Sequence, residues 1–393
     1  MVKTNEEKIE EILSRGVEEV IDKDRLKKKL LSGKTLRIKL GIDPTSPNIH
    51  LGRAGALWKL RAFQELGHKV IFIVGDFTGL IGDTSDKETE RPMLSQAEIK
   101  KNIKTYFAQA GKIIDPKKTE MHYNSKWLKK IGFLEIGKMA DAFSLHEFES
   151  RENISRRLKA GKRVSLRELL YPIMQGYDSV MVKADVEIGG TDQRFNLLAG
   201  RVIQPLYGQS PQDILTRALM EGTDGRKMSS SWDNTINILD SPNEMFGKTM
   251  SLPDELIEKY FILATNVPIY KIEQIKTTLN QKDQKMRLAH EVVKMYHGER
   301  KAQKAEEEFS KTFRDKNPTF IEVTVDEAQI FYPELLSRFG MANSTSEAKR
   351  LIIAGAVDIN GAVDKEWKKM IDIDEKGVEI KVGKRNFIRV KLH

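Results

Sequence analysis

The sequence predicts a doubly wound α/β fold, and three neighbouring stretches carry that prediction. Leu36, Ile38 and Leu40 alternate as the buried face of a strand does. Leu57, Leu60, Phe63 and Leu66 recur about every three residues, the spacing of a helix's inner face, and Gly67 suits the cap beyond it. Val70 to Val74 is an unbroken apolar run, which a strand covered on both faces requires. Strand, helix and strand in that order make a βαβ unit. Such units build a parallel sheet with helices on both sides and ligands at the carboxyl ends of its strands.

The totals exclude several function classes. The chain has 393 residues and 39% hydrophobic content, enough for two or three domains. It contains no cysteine, which removes disulfides, thiolate zinc sites and thiol nucleophiles together. No apolar run approaches the roughly 20 residues that span a bilayer, and the acid-containing start Met-Val-Lys-Thr-Asn-Glu-Glu-Lys is not a targeting peptide. A cytoplasmic protein with no membrane partner is expected. The net charge of +9 suits a polyanionic partner and equally suits a solvated, charged surface.

Residues 5–32 have helical spacing at Ile9, Ile12, Leu13, Val17, Val20 and Ile21, predicting helices on the outside of the first domain. After the first strand, Gly41-Ile-Asp-Pro-Thr-Ser-Pro-Asn-Ile-His50-Leu-Gly-Arg53 is a breaker-rich turn entering the helix. His50 therefore sits near free N–H groups at a helix start, a place that binds phosphate, although a lone histidine at a turn more often serves structure. Residues 75–91 form a Gly-rich loop without the Lys-Ser/Thr ending of a P-loop, so a P-loop NTPase is not expected. Residues 92–165 read mostly helical. Tyr171, Gln175 and Asp178 follow at i, i+4 and i+7 on one helical face, an unusual set for a core. Residues 180–188 alternate as a strand would and lead to Gly189-Gly-Thr-Asp-Gln193. A further strand, Ile214 to Leu219, enters a Gly-rich, basic and hydroxyl-rich loop at 221–231. From about 235 to 313 the chain is helical. Thr312 to Val325 reads as a linker, and a compact α+β tail follows. In that tail Ser344 and Glu347 make a capping box, Gly355 ends a helix, and Asn360-Gly361 marks a hairpin.

Taken together these motifs resemble the class I tyrosyl-tRNA synthetases of the bacterial type, over nearly the whole chain. His50-Leu-Gly-Arg53 is similar to their HIGH signature, with Arg53 in place of the last histidine. Lys227-Met-Ser-Ser-Ser231 is similar to their KMSKS loop, with Ser230 in place of the second lysine. Thr78-Gly-Leu-Ile-Gly-Asp83 and the Tyr171 helix match the family's tyrosine pocket, and the tail resembles an S4 RNA-binding domain, which the related tryptophanyl enzymes lack. The resemblance implies a Rossmann-like catalytic domain with a helical connective insert at 1–232. It further implies an α-helical anticodon-binding domain and linker at 233–325 and a small α+β S4 domain at 326–393.

The resemblance also implies roles. His50, Lys227, Lys87 and Arg91 are the expected catalytic residues. Asp43, Thr45, His50, Gly52, Arg53, Asp192, Lys227, Met228 and Ser229 are expected to bind ATP. Asp83, Tyr171, Gln175, Asp178 and Gln193 are expected to bind tyrosine, Asp178 by accepting from the phenol hydroxyl. Lys349, Arg350, Lys384, Arg385 and Arg389 are the expected tRNA contacts. In one bacterial branch a tyrosine at the position of Lys39 also holds the substrate hydroxyl; here lysine replaces it. The implied reaction joins L-tyrosine to tRNA(Tyr) through an adenylate, with ATP as substrate, Mg2+ on its phosphates, a homodimeric assembly, and neither a protein-bound metal nor an organic cofactor. Two other classes share parts of the pattern. A small-metabolite nucleotidyltransferase would have the His-x-Gly turn without the tyrosine helix or the tail. A non-enzymatic RNA-binding relative would keep the tail but has no use for Asp83, Gln175, Asp178 and Lys227 together.

Overall fold

The computed structural model describes residues 2–83, 93–313, 320–383 and 386–393, arranged in two compact units. The first joins Met1–Asp240 to Ser251–Tyr296; the second joins Ser241–Met250 to His297–His393. The helical segment expected as one domain is thus divided. Pro242–Met250 and Glu299–Phe313 belong with the tail, and Ile257–Ala264 and Ile269–Thr278 with the catalytic unit.

The first unit is built on a six-stranded sheet in the order β1-β6-β5-β2-β3-β4. Its strands are β1 Val17–Ile21, β2 Arg37–Ile42, β3 Lys69–Val74, β4 Thr119–Tyr123, β5 Val186–Gly190 and β6 Asp213–Arg217. All neighbours run parallel except β1, which lies antiparallel against β6 at the edge. From β2 the chain adds β3 and β4 on one side, then returns to place β5 and β6 on the other. The topological switch therefore falls beside β2, where ligands of such sheets bind.

The expected βαβ unit is present. β3 is buried from Val70 to Val74, and the helix Leu51–Glu65 turns Leu57, Leu60 and Phe63 inward against the sheet. Three expectations need correction. Val17, Val20 and Ile21 belong to strand β1, because left-handed Gly16 (φ 62°) and Asp22 (φ 61°) break the helical course on either side. The region read as mostly helical also contains β4, whose burial is partial and gives no clear alternation. The strand expected over 180–188 begins only at Val186, since the helix Leu166–Met181 runs on under its Ser165–Glu168 capping box. That helix approaches the helix Arg194–Ile203 closely. A Cβ at Gly176 would lie 2.9 Å from the Ala199 carbonyl oxygen.

In the second unit, helices Pro242–Met250 and Glu299–Phe313 pack through Phe246 and Phe309. The tail holds a five-stranded sheet, β10-β9-β12-β13-β7, and a separate pair, β11-β8. These strands are β7 Ile321–Val325, β8 Gln329–Phe331, β9 Val357–Ile359, β10 Ala362–Val363, β11 Met370–Asp372, β12 Val378–Val382 and β13 Asn386–Leu392. The expected hairpin joins β9 to β10, with Asn360 and Gly361 both at positive φ as its tight turn demands. The linker expectation is corrected at its end: Ile321–Val325 pairs in parallel with β13 and is part of the tail sheet. No helix among the described residues is long and apolar enough to cross a membrane.

Candidate active site

At the carboxyl ends of β2, β3, β5 and β6 the sheet opens into a cavity, with the segment Lys227–Ser231 also along its lining. Its deep end is a carboxylate. Asp178, 4% exposed, projects from the helix Leu166–Met181 and accepts from Trp127 Nε1 at 2.7 Å and Asn124 Nδ2 at 3.1 Å. Burial pushes the Asp178 carboxyl up to about 7, and the Lys39 charge with those two donors opposes the rise. Asn124 also donates to Thr78 Oγ1, which donates to Asp43 Oδ1, while the Tyr171 hydroxyl donates to Asp43 Oδ2 at 2.8 Å. One chain of hydrogen bonds thus runs from Trp127 to Tyr171 beneath the cavity. Gly75 makes room for it, since a Cβ there would meet Asp43 Oδ1 at 2.0 Å.

Beside this chain lies a buried ion pair. Lys39 Nζ sits 2.8 Å from Glu187 Oε1, and the two side chains are 0% and 1% exposed. The ammonium also donates to the Gln175 carbonyl at 2.9 Å and Ser179 Oγ at 2.8 Å. Glu187 further accepts from the amides of Gln175 and Gln212. Every ammonium hydrogen has an acceptor, the condition under which a buried pair is tolerable.

The opposite end is built for anions. His50 is the N-terminal cap of the helix Leu51–Glu65, and its buried Nδ1 has no partner among the described residues. Burial first, then the charges of Arg53 and Lys227, lower its pKa to about 3, so the imidazole is neutral near pH 7 and can donate one hydrogen bond. The segment after the 221–231 loop holds this turn: Leu51 N donates to Ile236 O, and Ile238 N to Ile49 O. Lys227 Nζ reaches Asp192 at 2.7 Å, Met228 packs under Gly52, and Ser230 Oγ donates to Ser46 Oγ at 3.0 Å. Arg53 donates to the Tyr106 hydroxyl and to Thr45 Oγ1, both at 2.7 Å. Arg226 turns aside, paired to Asp224 and stacked over Trp232. A carboxylate-floored pocket beside a phosphate-type turn suits an amino acid meeting a nucleotide.

The model for class I tRNA synthetases (W and Y) matches residues 31–314. A tyrosine–tRNA ligase of Carboxydothermus hydrogenoformans is 45% identical, covering 97% of both chains, and one of Thermotoga maritima is 44% identical, covering 98% of both. The chain belongs to the tyrosine–tRNA ligase family. Solved tyrosyl-tRNA synthetases share the fold at 22% identity. A C-terminally truncated mitochondrial one from Aspergillus nidulans has a TM-score of 0.66 over 78% of this chain and 94% of its own. One from Archaeoglobus fulgidus has 0.61 over 76% and 99%.

Most of the residues expected of a tyrosine–tRNA ligase line this one cavity. Asp43, Thr45, His50, Gly52, Arg53, Asp192, Lys227, Met228 and Ser229 of the expected ATP set and Asp83, Tyr171, Gln175, Asp178 and Gln193 of the expected tyrosine set all stand along its lining. Asp83 accepts from Gln193 Nε2 at 2.5 Å, tying the first Gly-rich segment to the second. Lys87 and Arg91 lie outside the described residues, as do Lys384 and Arg385 of the tail. The remaining expected tRNA contacts are not equivalent. Arg350 is exposed, Lys349 stands 3.7 Å over the Trp367 ring, and Arg389 is paired with Glu322 and Glu379 on neighbouring strands. Sequence reasoning misses Trp127, Asn124, the Lys39 partner Glu187 and the Gln212 that donates to Glu187 as site residues. The spacing Asn124-x-x-Trp127 just after a strand is the one available signal.

Proposed function

We propose that the chain activates L-tyrosine with ATP and transfers the tyrosyl group to tRNA(Tyr). The observation that carries this reading is Asp178, a buried carboxylate whose donors leave it facing a cavity that ends at a phosphate-type turn. A phenol hydroxyl supplies the donor such a carboxylate lacks. Asp83, Gln193, Tyr171 and Gln175 surround the place where the substrate's ammonium and carboxylate would then lie.

In the first step a tyrosine carboxylate oxygen bonds to the α-phosphorus of ATP while the bond to the bridging oxygen of pyrophosphate breaks. The attacking group is already an anion, so no general base is required. Positioning and charge stabilisation supply the rate. Neutral His50 and cationic Lys227, joined by Lys87 and Arg91, donate to phosphate oxygens as charge builds on the leaving group. Asp192 takes the ribose. In the second step a ribose hydroxyl oxygen of the tRNA terminus bonds to the acyl carbon, the bond to the phosphate oxygen breaks, and the hydroxyl proton leaves with AMP. Magnesium enters with the triphosphate, which binds it.

The tail, from β7 onward, is the proposed RNA-holding element, with Lys349 and Arg350 on its second helix. Exposed Phe133, Leu134, Leu145 and Leu166 in the region after β4 are apolar surface that a second copy would cover, in keeping with a homodimer. A cytoplasmic location fits the substrates. ATP–pyrophosphate exchange measured with each of the twenty amino acids tests the reading. Exchange that tyrosine alone supports is expected, and equal exchange with tryptophan or phenylalanine refutes it.

A further inference from the structure

We infer that Arg53 carries phosphate charge in place of a cation that the loop lacks at position 230, so that one positive charge of the site is mounted on a helix instead of a loop. This assignment rests on reading the cavity as an ATP and tyrosine site, and it adds a division of labour within that site.

Arg53 projects from the first turn of the helix Leu51–Glu65 and lines the cavity. Hydroxyls grip its guanidinium on two sides, Nη1 donating to Tyr106 and Nη2 to Thr45. Tyr106 is itself fully buried, so the fork is held in place before any ligand arrives. Among the described residues no carboxylate pairs with Arg53, whereas Lys227 is held by Asp192 and Lys39 by Glu187. A guanidinium with five N–H donors and only two neutral acceptors keeps its full charge and has hydrogens to spare. Among the described residues Arg53 is thus a fixed cation with no acid paired to it.

Its position adds the second half. Thr45, which Arg53 holds, is followed by Ser46, whose hydroxyl receives the bond from Ser230. Position 53 and position 230 therefore address adjacent residues of the turn, Thr45 and Ser46. A lysine at 230, with its four-carbon stem, would bring an ammonium to the corner that the guanidinium occupies from the helix side. The two departures from the family signatures balance in charge. An ordinary imidazole carries only a fraction of a guanidinium's charge near pH 7, so arginine at 53 adds charge where serine at 230 removes it. A helix-mounted cation needs no ordering when the nucleotide binds, which preserves its full electrostatic value in the transition state. After burial, its charge is the next cause that depresses the basicity of His50 and favours the neutral imidazole.

A double-mutant cycle on the full chain decides the matter, with Arg53→His, S230K and the two combined. Three quantities are read: tyrosine-dependent ATP–pyrophosphate exchange, equilibrium tyrosine binding, and inorganic pyrophosphate binding by calorimetry. Arg53→His is expected to lower exchange by roughly 10^2 and to weaken pyrophosphate, with tyrosine affinity within about two-fold. Adding S230K to that variant should recover at least ten-fold in exchange, far more than the same change yields in the unaltered chain. Arg53→Lys, which keeps the charge and shortens the fork, should lose much less than Arg53→His. The inference is overturned if S230K has the same effect in both backgrounds, or if Arg53→Lys is as damaged as Arg53→His. The underlying reading fails separately, by absence of tyrosine-dependent exchange in the unaltered chain, and pyrophosphate calorimetry across the four proteins still decides the role of Arg53.

Discussion

Replacing Asp178 by asparagine should change stability in a pH-dependent way that no uncharged difference can imitate. The folded Asp178 carboxyl titrates at about 7, against an ordinary 3.8, chiefly because burial penalises its charge. A raised folded pKa favours the protonated form in the native state. The penalty is therefore absent below about pH 4, grows as pH rises toward 7, and is complete above that. Three pH units at about 1.4 kcal/mol each give a penalty of about 4 kcal/mol at pH 8. Lys39 lies on one side of the carboxyl and works against the penalty, Glu187 adds to it, and Tyr171, pushed well above its usual range, stays protonated throughout.

The carboxamide introduced by Asp178→Asn has no such penalty but offers one oxygen to two donors, Trp127 Nε1 and Asn124 Nδ2. Leaving one donor facing an NH2 group costs about 1–3 kcal/mol at every pH. D178N should thus be less stable than the parent at pH 4, equal to it near pH 5–6, and more stable by roughly 1–3 kcal/mol at pH 8. Urea unfolding of both proteins without ligand, followed by circular dichroism at half-unit pH steps, gives the comparison. Stability curves that stay parallel from pH 4 to 8 would falsify the assignment of a buried, titrating carboxyl at this position. The same variant should lose discrimination against phenylalanine. For the parent that ratio is taken as about 10^5, a magnitude belonging to tyrosyl-tRNA synthetases generally and not worked out from this structure. Full discrimination retained in D178N would mean that the phenol hydroxyl is recognised elsewhere.

Three further outcomes are expected. His50→Ala and Lys227→Ala should each lower single-turnover adenylation by roughly 10^2 or more while tyrosine affinity holds; moreover, with His50 titrating near 3, the adenylation rate should show no histidine step between pH 5 and 8. A large loss of tyrosine affinity at unchanged rate counts against both placements. Lys39→Met should strand buried Glu187 and cost about 3–5 kcal/mol, with Lys39→Met/Glu187→Gln recovering much of it; a cost below about 1 kcal/mol means the pair is not what holds these strands. A chain ending at residue 313, before the first strand of the tail sheet, should keep exchange within a few-fold while tRNA charging falls much further and binding loses salt dependence; untouched charging removes the tail from RNA recognition.

What is legible in the sequence follows how locally each feature is encoded. β2, the turn at 43–50 and the helix after it are written in one continuous stretch, so periodicity and breakers place them together. Tyr171, Gln175 and Asp178 share a helix face, and spacing alone groups them. Trp127 and Asn124 reach Asp178 across some fifty residues of chain, because β4 delivers them to the same strand-end layer. β4 has a mixed burial pattern, so nothing local announces either the strand or its cargo. β1 is hidden for a related reason: an edge strand of five residues with valine and isoleucine at helical spacing satisfies both periods at once. Glu187 reads only as one charge in an alternating strand. Its purpose appears when β2 and β5 lie side by side and Lys39 meets it.

The positions of the charges suggest why the site is built this way. An adenylation site must hold a polyanion and a neutral phenol in one cavity, with opposite demands on the field. At the proposed phenol end stands a carboxylate made reluctant to ionise by burial, and the lysine beside it is fully engaged by Glu187, Gln175 and Ser179, so it influences Asp178 through its field alone. At the phosphate end the charge is carried by groups whose partners are neutral or ligand-like: Arg53 on two hydroxyls, and Lys227 on an aspartate that the ribose is proposed to claim. When ATP binds, Asp192 can exchange the ammonium for ribose hydroxyls and release Lys227 toward the phosphates, whereas Lys39 has no ligand group to exchange with and stays where it is. A rise in the ATP affinity of Asp192→Asn, with Lys227 unleashed in advance, is excluded by this arrangement only if the ribose contact is worth more than the ion pair it replaces. Since the Lys227–Asp192 pair keeps partial access to water, with side chains 29% and 17% exposed, it contributes about 1 kcal/mol, and hydrogen bonds to a charged acceptor contribute about 1.5–3 kcal/mol, so the ribose contact should win.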